Sequence, residues 1–177
     1  IETQPIGDAA ALAAIDDAYT QPATVVFTSM NAVDAVVARQ KGRAPGWRIF
    51  CVGQTTAKQV EAAFGKAAIA GTSPSAALLA QLMVEHAPPE QVVFFCGNLR
   101  RDELPEILRG HGVDVREVQV YQTQMLPQKV ESDYDGILFF SPSAAQSFFS
   151  SNRPPASTVL FAIGATTARE LTRLSPN

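Results

Sequence analysis

Cysteine and histidine are scarce in this chain, and each shortage removes a class of chemistry. Two cysteines, Cys51 and Cys96, and two histidines, His86 and His111, occur in 177 residues. Both cysteines lie inside apolar strand-like runs, where a buried free thiol in a reducing compartment is the expected state. Neither histidine has a Cys, His or carboxylate at ligand spacing, so no metal site is expected. No Cys/His pair reads as nucleophile and base, and the histidines follow no triad order. The Gly-x-x-x-x-Gly-Lys-Ser/Thr loop, the Gly-x-Gly-x-x-Gly fingerprint and the Gly-x-Ser-x-Gly elbow are all missing, so nothing predicts a nucleotide cofactor. Long apolar runs are missing too: none approaches the roughly 20 residues that span a bilayer. No signal peptide is visible, so a soluble cytoplasmic protein without membrane contact is expected. The first residue is Ile rather than Met, so the true N-terminus need not be included. A net charge of −3 argues against broad binding to nucleic-acid phosphates.

What is present is the balance of a globular protein, with 46% hydrophobic and 18% charged residues. Short apolar runs alternate with helical patterns. Strands are expected at Val25–Thr28, Arg48–Val52, Val92–Phe95, Val113–Tyr121, Ile137–Phe140 and Val159–Ile163. Near-continuous apolar strands separated by helices predict an α/β fold with parallel sheets flanked by helices. Ala32, Val33, Val36 and Val37 recur at helical spacing, as do Ala57, Val60 and Phe64. Ser73-Pro74 reads as a helix start for the run Ala76–Val84, a cap followed by a first-turn proline. Pro105 fits only a first helical turn, which makes Asp102 the cap, Leu104, Ile107 and Leu108 the buried stripe, and Gly110 or Gly112 the stop.

One signature occurs twice. VVFTSMNAVDAV from Val25 is followed by FCVGQTTAKQV from Phe50; ILFFSPSAAQSF from Ile137 is followed by FAIGATTAREL from Phe161. Ser29 precedes Gly53 by 24 positions and Ser141 precedes Gly164 by 23. A repeated strand–Ser–helix, strand–Gly-x-Thr-Thr–helix unit predicts two similar lobes facing a shared cleft. The second copy stops after its Gly-x-Thr-Thr helix, so its remaining parts are expected before Ile1, after Asn177, or both. The resulting partition is a linker strand at 1–7, a middle lobe at 8–118, a second linker strand at 119–123, and part of the other lobe at 124–177.

Ligands of parallel α/β sheets bind beyond the carboxyl ends of the strands, where helix starts point their free N–H groups. Five such junctions recur: Thr28-Ser29, Gly53-Gln54-Thr55-Thr56, Cys96-Gly97-Asn98, Ser141-Pro142-Ser143 and Gly164-Ala165-Thr166-Thr167. Any one is ordinary helix capping. Two duplicated types point to an anion-binding cleft that needs no basic patch. Arg100 and Arg101 follow the Cys-Gly turn after the Val92–Phe95 run, where an arginine can clamp a carboxylate bidentately or simply sit in a solvated loop. Lys58 and Arg169 read as ordinary helix-surface charges. In VREVQVYQT, Val118 and Val120 share one strand face, and Gln119, Tyr121 and Thr123 the other. The Tyr121 phenol is therefore placed on the polar side, able to donate a proton or merely to pack. Taken alone, these residues describe a two-lobed binder of a polyanionic small molecule.

FTSMNAV, VGQTTA, CGNLRRDELPEIL, VYQT, FFSPSAAQSF and IGATTAREL, in that order, resemble the uroporphyrinogen-III synthase family over about Ile1 to Leu171. The resemblance implies two flavodoxin-like α/β lobes joined by a two-stranded linker, IETQPI and VQVYQT. It implies a lyase of tetrapyrrole (haem) biosynthesis that converts hydroxymethylbilane, with its eight carboxylates, to uroporphyrinogen III, inverting ring D and losing water. A monomer with no cofactor, metal or nucleic-acid partner is implied. Position by position, the substrate-binding candidates are Thr28, Ser29, Thr56, Arg101, Ser141, Ser143 and Thr167, and Tyr121 matches an assisting acid. Met30 stands where the second repeat has Pro142, so the Ser29 turn need not share the Ser141 geometry. A non-enzymatic two-lobed module for a small polycarboxylate is the alternative, and a flavodoxin-like electron carrier is a third reading that few aromatics support.

Overall fold

Alternation along the apolar runs decides the architecture, because successive strand residues face opposite sides of a sheet. The structure, a computed structural model, describes residues 1–85 and 89–175, so His86 and Asn177 lie outside the described residues. The chain divides into two compact units, Thr3–Gln122 and Ile1–Glu2 with Thr123–Asn177.

The larger unit carries a six-stranded sheet. Its elements are β1 (Glu2–Pro5), α1 (Ala9–Ala18), β2 (Ala23–Phe27), α2 (Met30–Val37), β3 (Trp47–Val52), α3 (Gln54–Phe64), β4 (Ile69–Ser73), α4 (Ala76–Glu85), β5 (Gln91–Gly97), α5 (Glu103–Gly110) and β6 (Asp114–Gln124). The strand order is β1-β6-β5-β2-β3-β4, and β2 pairs parallel with both β3 and β5. Counted from β2, the strands β2 to β6 run 3-2-1-4-5 across the sheet. This corrects the flavodoxin-like expectation for this unit, since flavodoxin has its second strand outermost, in the order 2-1-3-4-5. The reason is the direction of the crossovers. α2 and α3 carry the chain outward from β2 to β4 on one face, and α4 brings it back beneath the other face to β5.

Val25, Phe27, Ile49, Cys51, Val93, Phe95, Val118 and Val120 pack with Ile15, Val33, Val36 and Val60 from α1, α2 and α3. The alternate residues Val26, Phe50, Val92, Phe94, Cys96 and Val115 pack with Leu79, Met83, Leu104 and Leu108 from α4 and α5. Phe27, Phe94 and Phe95 are fully buried, each contributing about 1.5–3 kcal/mol by leaving water. Trp47 donates its indole N–H to the Ala18 carbonyl at 2.8 Å, which satisfies the one polar atom of that buried ring.

Two helix starts differ from the sequence expectation. Ser73 is the last residue of β4; Ser75 caps α4, accepting the Leu78 N–H at 3.3 Å. Asp102 does stand at the cap of α5, but its carboxylate pairs with Arg100 instead of capping. Leu104 and Leu108 are buried beneath α5, with Ile107 packed at the margin. Gly112, at φ 80°, takes the left-handed conformation that ends the helix region and admits β6.

The smaller unit repeats the first half of this plan: β7 (Gly136–Phe139), α6 (Pro142–Ser151), β8 (Val159–Ala162) and α7 (Ala165–Leu174). β7 and β8 pair parallel, Leu138 opposite Phe161. Phe139, Ala145, Phe149 and Leu171 form its core. Leu138 and Phe161 are 51% and 53% exposed on the face opposite that core. The Asn152 side chain donates to the Gln128 carbonyl and accepts the Val130 N–H at 2.8 and 2.7 Å, anchoring that segment to the end of α6.

Candidate functional site

In the larger unit the parallel register brings the strand ends level. Phe27 stands beside Cys51 on one side and Phe95 on the other, and Gly97 stands beside Tyr121. Thr28, Ser29, Gly53 to Thr56, the 98–102 loop and Tyr121 therefore share the carboxyl edge of one sheet. The chain reverses direction between β2 and β5, which is where doubly wound sheets open a crevice.

Ser29 caps α2, its hydroxyl accepting the Ala32 N–H at 3.4 Å. Thr28 beside it is half-buried. α3 starts differently: Gly53 has φ 79°, and no side chain caps the helix. The first-turn N–H groups of Gln54, Thr55 and Thr56 thus lack an intrahelical acceptor and concentrate the positive end of the helix dipole. The Thr56 side chain is 6% exposed, turned into the protein.

The smaller unit presents the same pair of starts. Ser141 caps α6, accepting the Ala144 N–H at 3.1 Å, and its hydroxyl lies 3.1 Å from that of Ser143. Ser141 (φ −156°, ψ 156°) and Ser29 (φ −153°, ψ 146°) have the same backbone geometry. Met30 in place of Pro142 therefore does not alter the turn. α7 begins at Gly164 with no side-chain cap, and Thr167, like Thr56, is buried at 3%. Each unit thus carries a serine-capped helix followed by a glycine-started one.

Arg100 and Arg101, equivalent in the sequence, separate in the structure. Arg100 is ion-paired with Asp102 and Glu117. Glu117 also takes Arg109 at 2.9 Å, and Arg109 donates to the Val115 carbonyl at 3.0 Å. Arg101 is exposed and enters no ion pair found among the described residues. It is the cation of this loop open to an incoming carboxylate. Glu117, which ties Arg100 away, has no local sequence signal beyond being a charge within an apolar strand.

Tyr121 is half-buried and packs beside the α1–α3 side of the core. Its ring covers Gly97: a methyl group there would overlap Cζ and Cε2 and lie 2.8 Å from Oη. Burial pushes both thiols up, Cys51 to about 11 and Cys96 to about 11, so neither is a thiolate at neutral pH. Among the described residues there is no group of three or more His, Cys, Asp or Glu able to hold a metal ion. Nor is any helix among them long and apolar enough to cross a membrane.

Comparison with known proteins places these features. The family model described as uroporphyrinogen-III synthase HemD matches residues 1–175. A uroporphyrinogen-III synthase of Saccharomyces cerevisiae is 26% identical over 178 aligned positions, covering 86% of this chain and 65% of the yeast protein. The chain thus spans just under two thirds of that relative. The crystal structure of uroporphyrinogen-III synthetase from Helicobacter pylori superposes with a TM-score of 0.64 at 20% identity, covering 85% of this chain and 72% of that one. A mutant synthase from Thermus thermophilus gives a TM-score of 0.67 at 15% identity, covering 98% and 77%.

Proposed function

Since the chain belongs to the uroporphyrinogen-III synthase family, we propose that it converts hydroxymethylbilane to uroporphyrinogen III. The observation that carries this reading is the row of ligand-ready groups on one sheet edge. Uncapped helix N–H groups after Gly53, the unpaired Arg101 and the Tyr121 phenol stand there together. The smaller unit, taken by itself, carries a comparable pair of helix starts at Ser141 and Gly164.

The chemistry suits these groups. Helix starts and a single arginine bind carboxylates without a basic patch, and the substrate carries eight. Its pyrroles supply the electrons, so no protein nucleophile, metal or organic cofactor is required. The hydroxyl of the ring A hydroxymethyl group leaves as water on taking a proton, and we assign Tyr121 as its donor. The azafulvene cation so formed is attacked by the substituted carbon of ring D. The resulting spiro intermediate fragments and recloses with ring D inverted, and the last step returns one proton. The protein's main task is to hold a flexible tetrapyrrole so that the hindered carbon, not the unhindered one, meets the cation.

The test is product analysis. The chain is mixed with freshly generated hydroxymethylbilane, the products are oxidised, and the type I and type III porphyrins are separated. Type III in excess of the spontaneous type I isomer is expected. Type I alone overturns the reading and leaves a binding module.

A further inference from the structure

We infer that Glu117 is a positioning residue that leaves Arg101 as the sole free carboxylate clamp of its loop, an inference that rests on the synthase reading above. Glu117 lies on β6 opposite Phe94, on the side covered by α5, with its side chain 17% exposed. One carboxylate oxygen takes the Arg109 guanidinium at 2.9 Å and the other pairs with Nε of Arg100. Arg100 continues to Asp102, the cap of α5, and its backbone N–H donates to the Gly97 carbonyl at 3.2 Å. Arg109 sits in the last turn of α5. A single carboxylate therefore restrains both ends of an eight-residue helix and the loop leading into it.

The consequence is selective. Two adjacent mobile arginines would offer an acidic ligand several competing poses. With Arg100 neutralised and held against β6, only Arg101 is presented, and its backbone is fixed by its neighbours on both sides. Removing the Glu117 charge cuts the tether from β6 through Arg100 to Asp102 and so loosens the support of Arg101. Ground-state capture of the substrate suffers, while the reacting carbons remain as they were.

The full chain carrying Glu117→Gln is compared with wild type, Arg101→Ala and the double variant. Glu117→Gln raises KM for hydroxymethylbilane about fivefold or more with kcat within about twofold, and adds nothing further once Arg101 is alanine. A KM rise of equal size in both backgrounds, or a fall in kcat with KM unchanged, overturns the inference. Arg100→Gln keeps the Glu117–Arg109 pair and gives the same KM effect, which covers the case in which Glu117→Gln does not fold. Hydrogen exchange supplies a readout independent of activity: the backbone amide of residue 100, which donates to the Gly97 carbonyl, exchanges faster in either variant, and unchanged exchange also overturns the inference. A wild-type chain making no type III isomer fails the synthase reading instead, and exchange at Arg100 then decides the restraint alone.

Discussion

The Tyr121 ring lies directly on the Cα of Gly97, its neighbour across the β5–β6 ladder, in space that any side chain at Gly97 would occupy. The register shifts by one residue between Cys96 and Gly97, so β6 gains a residue where the ring settles. Gly97 is thus the seat of the phenol. Gly97→Ala drives the methyl group into Cζ and Cε2, and the ring must rotate away from the sheet edge. Turnover falls at least as far as in Tyr121→Phe, because the alanine removes both the hydroxyl and the ring from their place. Steady-state assay of the two variants side by side checks the order.

Tyr121→Phe deletes one oxygen from a half-buried ring. Its hydroxyl has no hydrogen-bond partner found among the described residues, so its loss leaves no protein group unsatisfied. Thermal stability stays close to wild type. Turnover drops several-fold to about a hundredfold, the low end of what a positioned general acid supplies. Unchanged turnover on freshly generated hydroxymethylbilane would remove Tyr121 from the mechanism.

Much of the larger unit was legible because its strands are buried on both faces and read as apolar runs bounded by turn residues. The exception is β4. Ile69–Ser73 alternates half-buried and exposed residues at the sheet edge, and Gly71 is there because the Phe50 ring would meet a Cβ at 2.9 Å. A glycine and two hydroxyl residues read as loop, and the same composition makes Ser73 read as a helix cap when it ends the strand. The site was legible as a set of junctions but not in its details. Spacing placed Thr56 and Thr167 at helix starts; only packing shows that their side chains turn inward. Likewise, nothing in LRRDE distinguishes Arg100 from Arg101, because the partner that claims Arg100 is Glu117, on another strand.

The inward turn of the two threonines makes a prediction about which atoms bind. Thr56→Val and Thr167→Val exchange a buried hydroxyl for a methyl of the same shape and leave each first-turn N–H in place. KM for hydroxymethylbilane therefore changes by less than about twofold in either variant, and stability by less than about 1.5 kcal/mol. Gly53→Ala behaves differently: at φ 79° and ψ 151° an alanine is strained by about 1–3 kcal/mol, and relief of that strain tilts the uncapped N–H groups. KM rises in this variant. Kinetics and thermal melts of the three proteins separate a hydroxyl contact from a main-chain one.

The two thiols give a stability test that needs no substrate. Burial raises Cys51 from 9.0 to about 11 and Cys96 from 9.0 to about 11. For Cys96 the nearby Glu117 adds to the upward shift. A group whose folded pKa is raised contributes its full stability below the unfolded value and loses it as pH climbs toward the folded one. The unfolded chain releases these protons first, so unfolding becomes progressively easier between pH 9 and about 11. Chemical denaturation across that interval shows a falling midpoint, and Cys51→Ala with Cys96→Ala flattens the slope even though it lowers the plateau. At about pH 8 the folded chain resists a thiol reagent, whereas the denatured chain reacts at both cysteines. Rapid labelling of the folded protein would show that one of the thiols is reached by solvent and that its strand opens readily.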